Sequence, residues 1–208
     1  PPVFFFTMKR AYEMLSSLVG SEMCIRDRSK GYMYESSPEA NDGTNQHKYM
    51  NGEPVVLREE LKADCLEAER QRSEVMEFTF NNWRDRPPLV ICEERMWFKD
   101  DRYSGVPDLL AMRNRRALII DYKFGRVAVP PAKDNPQLKW LTVLADENYD
   151  VEEVTVAIIQ PQCGNFTIAT RDKDAIRKAR RSVMSTLRKM EKDTTKLRPG
   201  PAGAFGPG

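Results

Sequence analysis

The run Ala117-Leu-Ile-Ile-Asp-Tyr-Lys123 constrains the fold of this chain more than any other stretch. Four consecutive apolar residues, without the alternation of a half-exposed strand, read as a strand covered on both faces. Such a strand needs a sheet with packing layers on each side. Yet this one ends in Asp121 and Lys123. A strand period of two puts both on one face, and charge emerging from a buried strand is costly without a partner or ligand.

The partner is written upstream. Val106-Pro-Asp108-Leu-Leu110 sets a lone carboxylate in an apolar stretch, and Arg113–Arg116 is a short polar turn. A hairpin there lays the two stretches antiparallel, and the 13 positions from Asp108 to Asp121 suit bringing both carboxylates to one end. Two converging carboxylates hold a hard cation such as Mg²⁺. A neighbouring lysine can steady charge developing on a phosphate or orient the attacking water. The plainer alternative is an Asp–Lys ion pair at a strand end beside an unrelated turn aspartate. Spacing alone decides nothing, because Glu60-Leu61-Lys62 has it too, within a charged helical stretch where a solvated face explains it.

The flanking pattern supports a sheet. Ser36–Gly43 is turn-rich, with Asp42 or Thr44 available to cap a following helix. Arg58–Trp83 reads as a helix with Leu61, Cys65, Ala68, Val75 and Phe78 on an apolar stripe. Leu89–Phe98 and Gly105–Met112 read as strands before Ala117–Tyr122. Asn135–Asn148 follows as a helix with Leu138, Leu141 and Ala145 inward. Val151–Gln160 is a strand, Phe166–Ala169 a short one, and Ala175–Met190 an amphipathic helix with Ile176, Ala179, Val183 and Leu187 inside. The order predicts an α/β fold, a central mixed sheet flanked by helices.

With 208 residues and 40% hydrophobic content the chain can bury one core. A net charge of +2 does not by itself argue for nucleic acid, but its distribution is uneven. Arg171–Arg198 carries eleven Lys and Arg against four Asp and Glu, while Glu53–Glu69 is acidic. That asymmetry fits a polyanion on one face or two solvated helix faces of opposite sign. Arg177, Lys178, Arg180 and Arg181 on the outer side of the last helix are candidate phosphate contacts. So are Arg126, Lys133 and Lys139 after the central strand. Trp97 and Tyr122 either stack bases or pack in the core. The four cysteines show no CxxC pair, which predicts reduced thiols and a cytoplasmic chain. No apolar run approaches the roughly 18 residues of a membrane span.

Residues 1–28 closely resemble a translated sequencing adapter, above all in Ser21–Arg28 (SEMCIRDR). An amphipathic helix with Tyr12, Leu15 and Leu18 on one side is the structural alternative. The expected organisation is therefore an adapter-derived segment 1–28, a domain 29–198 and a disordered Gly/Pro tail 199–208.

Gly105-Val-Pro-Asp108 followed by Ile-Ile-Asp121-Tyr-Lys123-Phe-Gly125 resembles the core signature of the PD-(D/E)XK nucleases, and further marks are similar to their RecB-type branch. Gly43-Thr44-Asn-Gln-His47, with Ser37 and Ala40 before it, matches that branch's early helix and holds the only histidine. Glu93 or Glu94 fits its glutamate before the PD element, with Glu93 preferred because an arginine and an apolar residue follow it. Asn135-Pro136-Gln137 fits its glutamine helix, although Leu141 stands where that branch has tyrosine. The resemblance spans about Ser36–Gln162 and is nearest to phage and prophage members that share the run DYKFG, NPQL and IIQPQ.

It implies a restriction-endonuclease-like core and a DNA nuclease that uses Mg²⁺ or Mn²⁺. Metal ligands would be His47, Asp108, Asp121 and the Tyr122 carbonyl. Glu93 would position water, Lys123 would stabilise charge and Gln137 would orient DNA. An exonuclease in phage recombination or repair is expected, with DNA and phage recombination proteins as partners. A catalytically inactive DNA-binding or assembly module of the same fold is the alternative. Several relatives carry a cysteine-rich tail for an iron–sulfur cluster or zinc. Gly203 and Gly206 stand at the corresponding spacing here, so no iron–sulfur cluster is expected.

Overall fold

The computed structural model describes residues 38–98 and 103–194. The adapter-like segment 1–28, Ser37 and the tail 199–208 lie outside them. Two helices, α1 (Pro38–Met50) and α2 (Glu59–Phe80), precede strands β1 (Leu89–Cys92), β2 (Met96–Trp97), β3 (Ser104–Gly105), β4 (Leu109–Arg113) and β5 (Arg116–Tyr122). Helix α3 (Pro136–Tyr149) leads to β6 (Glu153–Gln160), a 3-10 turn at Pro161–Cys163, β7 (Asn165–Arg171) and α4 (Lys173–Thr194). Five strands form one sheet in the order β1-β4-β5-β6-β7, while β2 and β3 make a separate ribbon. Neighbours in the sheet are antiparallel except β5 and β6. That parallel pair needs a crossover, which α3 supplies.

The β4–β5 hairpin turns on Asn114 and Arg115, both left-handed at φ 51° and 61°. Two such residues make the turn whose twist matches the paired strands. The turn fixes a register in which Leu109 faces Ile120. One step further along, Asp108 stands opposite Asp121.

Strand β5 is central, and Ala117 through Ile120 are fully buried. Ala117 and Ile119 pack with Leu138, Leu141 and Leu144 of α3 and with Ile176 and Leu187 of α4. Leu118, Ile120 and Tyr122 face the opposite core with Cys65, Ala68, Val75 and Phe80 of α2. Helices therefore cover both faces, and the continuous apolar run follows from that burial. By the same alternation Asp121 and Lys123 share the face of Ile119, turned toward α3. Among the described residues no helix is long and apolar enough to cross a membrane.

Local expectations changed in four places. Helix α1 begins at Pro38, where a proline is tolerated because first-turn N–H groups have no helical partner. Asp42 and Thr44 therefore lie inside the helix and do not cap it, and Asp42 instead accepts a hydrogen bond from Arg58. On α2, Phe78 is exposed while Met76, Thr79 and Phe80 are buried, because the inward stripe continues from Val75 to Thr79 at a spacing of four. Leu89–Phe98 is not one strand. Glu93 takes φ 51°, which ends β1 and hands Met96–Trp97 to Ser104–Gly105. Strand β4 accordingly begins at Leu109, and Gly105 belongs to the ribbon, pressed against α3. A Cβ on Gly105 would lie 2.8 Å from Leu144 Cδ1, 3.1 Å from Leu141 Cδ2 and 3.2 Å from Trp140 Nε1.

Candidate metal centre

The hairpin register and the strand alternation bring the two aspartates together at one end of the sheet. Asp108 precedes β4 and is buried. Its Oδ2 accepts from the Tyr122 backbone N–H at 2.6 Å, which ties it to the end of β5. Lys123 donates its backbone N–H to Ile159 on the other side. Backbone groups of successive strand residues point to opposite edges, so the Tyr122 carbonyl points to the Asp108 side together with its N–H.

Asp121 is 1% exposed. Lys123 Nζ stands 3.2 Å from its Oδ2, yet neither Asp121 oxygen has a donor aligned for a hydrogen bond. Burial pushes the Asp121 carboxyl up to about 7, opposed by the Lys123 ammonium and reinforced by the Asp108 carboxylate. A buried carboxylate facing a second carboxylate, with one lysine beside the pair, is an arrangement that a bound cation relieves.

The remaining candidates divide into two groups. Gln137, buried in the first turn of α3, accepts from Lys123 Nζ at 3.2 Å. The helix is started there by Asn135, whose side chain accepts from the Leu138 N–H, and by Pro136. His47 reaches the site from the last turn of α1, with Nδ1 3.7 Å from Asp108 Oδ1. Its ring sits edge-on to Phe124 at 5.4 Å and to Tyr122 at 6.4 Å. His47, Asp108, Asp121, Lys123 and Gln137 thus form one continuous cluster.

Glu93 is attached differently. It is exposed, and its backbone N–H donates to Pro107 O at 3.1 Å, next to Asp108. Its left-handed backbone costs about 1–3 kcal/mol for a residue with a side chain. Among the described residues no group of three or more His, Cys, Asp or Glu side chains is gathered tightly enough to hold a metal ion. The donor set that fits a hard cation is the Asp108–Asp121 pair with the Tyr122 carbonyl, and His47 stands beside it.

The Tyr122 ring is 1% exposed and stacked on Phe124, so it packs and does not stack bases. Its hydroxyl is pushed above the ordinary value by burial. Trp97 remains 44% exposed, with Arg95 over its ring. On α4, Arg180 bonds Glu147 and Asp146 of α3 and lies over Phe98. It is therefore a packing residue, unlike the exposed Arg177, Lys178 and Arg181. Sequence reasoning missed the role of Gln160, a buried side chain that hydrogen-bonds the segment after Lys123. The only sequence signal was a polar residue closing an apolar strand.

No curated protein matches the sequence significantly. The solved structure of a protein designated SSO0001 is similar at 15% identity and a TM-score of 0.32, over 69% of this chain and 62% of that one. The chain thus spans less than two thirds of that protein's length. The family described as "Protein of unknown function (DUF2800)" matches residues 31–206, which is most of the sequence, and the chain belongs to that family.

Proposed function

We propose that this protein is a metal-dependent nuclease of the PD-(D/E)XK class that hydrolyses DNA phosphodiester bonds. The reading extends to an exonuclease of phage recombination or repair, acting in the cytoplasm of a bacterial or phage-infected host. The observation that carries it is the Asp121 carboxylate, buried opposite Asp108 with the Lys123 ammonium 3.2 Å from its Oδ2. Mg²⁺ or Mn²⁺, when bound, would balance these charges and activate a water for attack on phosphorus. Asp108, Asp121 and the Tyr122 carbonyl are the residues to hold it, with His47 beside them.

The chain's own groups suit the rest of the reaction. The Lys123 ammonium lies between Asp121 and Gln137, each at 3.2 Å. A cation held in that position offsets negative charge as it develops on the phosphate. Gln137 fixes the lysine and faces the strand from the start of α3. Glu93, held by its backbone N–H to Pro107 next to Asp108, is the candidate to orient the attacking water.

The test is cleavage of end-labelled DNA by purified protein with Mg²⁺ or Mn²⁺, beside Asp108→Asn and Asp121→Asn. Both variants should lose at least about 100-fold in turnover while still binding DNA, because phosphate contacts come mainly from Lys and Arg. Equal activity in all three proteins would assign the cleavage to a contaminant. DNA binding without cleavage in the wild type would favour the inactive binding module.

A further inference from the structure

Lys123 and Gln137, which touch each other in the site, are also the two feet of a loop. Between them the chain runs from Phe124 to Asn135 without helix or strand. Such a segment is usually mobile, but this one is fastened along its length. Gln160, 1% exposed at the end of β6, donates from Nε2 to the carbonyls of Gly125 and Val127, both at 2.8 Å. Its Oε1 accepts from the Val129 N–H at 3.2 Å and from Asn165 Nδ2 at 3.1 Å. Asn165 also donates to Val129 O at 3.1 Å. Thr167 Oγ1 accepts from the Ala132 N–H at 3.0 Å. Arg171, itself buried, donates to the carbonyls of Ala132 and Lys133, both at 3.2 Å.

Four side chains from β6 and β7 thus hold the inner edge of the loop. Its outer edge carries Arg126, which is exposed, and Val127, which is 83% exposed. Arg126 is three residues beyond Lys123, so it lies within about 11 Å of it along the chain. The backbone that carries a cation and an apolar group near the site is therefore fastened before any ligand arrives. Fastening it in advance spares the ordering entropy that a loose loop would lose on binding.

We infer that the loop 125–131 is a rigid guide for an unpaired nucleic-acid strand, in which Arg126 takes a backbone phosphate and Val127 packs on the face of the adjacent base. The inference rests on the nuclease reading of the same site and adds the form of the substrate. Apolar contact with a base face needs a strand whose bases are unstacked, and a paired duplex keeps those faces covered. The guide therefore favours a single-stranded end over an intact duplex.

The experiment measures fluorescence anisotropy of a labelled single-stranded oligodeoxynucleotide, and of the same strand in a blunt duplex, with Ca²⁺ present. Arg126→Ala should weaken single-strand binding about tenfold and flatten its log-affinity versus log-salt slope by about 0.7. Val127→Asp should weaken it similarly, and both should change duplex binding less. Gln160→Ala, judged only if its circular dichroism matches the wild type, should lose the same preference without touching the strand. The two surface variants decide the matter if Gln160→Ala does not fold. Unchanged single-strand affinity in both Arg126→Ala and Val127→Asp overturns the guide, even where Asp108→Asn abolishes cleavage and upholds the nuclease. A wild-type protein that binds neither form overturns both.

Discussion

At the scale of single residues, the proposed chemistry turns on a lysine that would contribute charge without being a ligand. Lys123 stands 3.2 Å from Asp121 Oδ2 and 3.2 Å from Gln137 Oε1. In the proposed nuclease a lysine so placed would act on charge that develops during the reaction, whereas Asp108 and Asp121 would hold the cation. Lys123→Ala should therefore lower turnover by about 100-fold or more and shift the Mn²⁺ concentration for half-maximal activity much less. A titration of activity against Mn²⁺ separates the two effects. If half-saturation moves as far as turnover falls, Lys123 is a structural counter-charge for Asp121. Ca²⁺ should support DNA binding with little cleavage, because its looser coordination places a water less well. Much of this site was legible in advance. Asp108, Asp121 and Lys123 share one strand face by period and hairpin length. The near-complete burial of Asp121 was not legible, because nothing in Ile-Ile-Asp says what the neighbouring elements will lay over the strand end.

At the scale of elements, two contacts hold the helical layer that carries Gln137. The β2–β3 ribbon lies against α3 only because Gly105 has no side chain. A Cβ there would stand 2.8 Å from Leu144 Cδ1, beside Leu141 Cδ2 and Trp140 Nε1. Leu144 and Leu141 are themselves fully buried, so little room exists for them to give. Gly105→Ala should destabilise the protein by about 1–3 kcal/mol, measured by urea unfolding, and an unchanged midpoint would mean that the ribbon moves freely. The second contact ties α3 to α4. Asp146 accepts from Lys173 at 2.9 Å and from Arg180 at 2.9 Å. Burial alone would raise its carboxyl, but the bonds and charges of these two cations outweigh it and hold the group below its ordinary value. Stabilisation from a depressed carboxyl is complete above its unfolded value of about 3.9 and is lost as pH falls through the folded one. Asp146→Asn should therefore destabilise by about 2 kcal/mol at pH 7, and the gap to wild type should begin to narrow only as pH falls below the ordinary carboxyl range. Thermal melts from neutral to acid pH check it, and a gap that stays constant as the pH falls would contradict it.

At the scale of the whole molecule, the DUF2800 match begins at residue 31, and among the described residues both helix-covered cores are built from α1 onward. Removing residues 1–28 should accordingly leave the melting temperature within about 2 °C, a shift of under 1 kcal/mol for a chain of this size. A larger fall would show that the segment packs on the domain. The sequence by itself determined the class of fold, because an apolar run at 117–120 can only be satisfied by a sheet covered on both sides. It also pointed to a hairpin at Arg113–Arg116 that brings Asp108 and Asp121 to one end, while the two-residue turn at Asn114 and Arg115 and the register it sets came from the structure. Tertiary structure alone decided what lies beyond that periodicity. It split Leu89–Phe98 at the left-handed Glu93, turned Phe78 outward and brought His47 from another helix to within 3.7 Å of Asp108. It also fastened the loop after Lys123 through Gln160, 35 residues beyond Gly125. Local pattern records which face a residue takes within its own element. Contacts between elements distant in the chain depend on how the layers stack, and no local spacing encodes that.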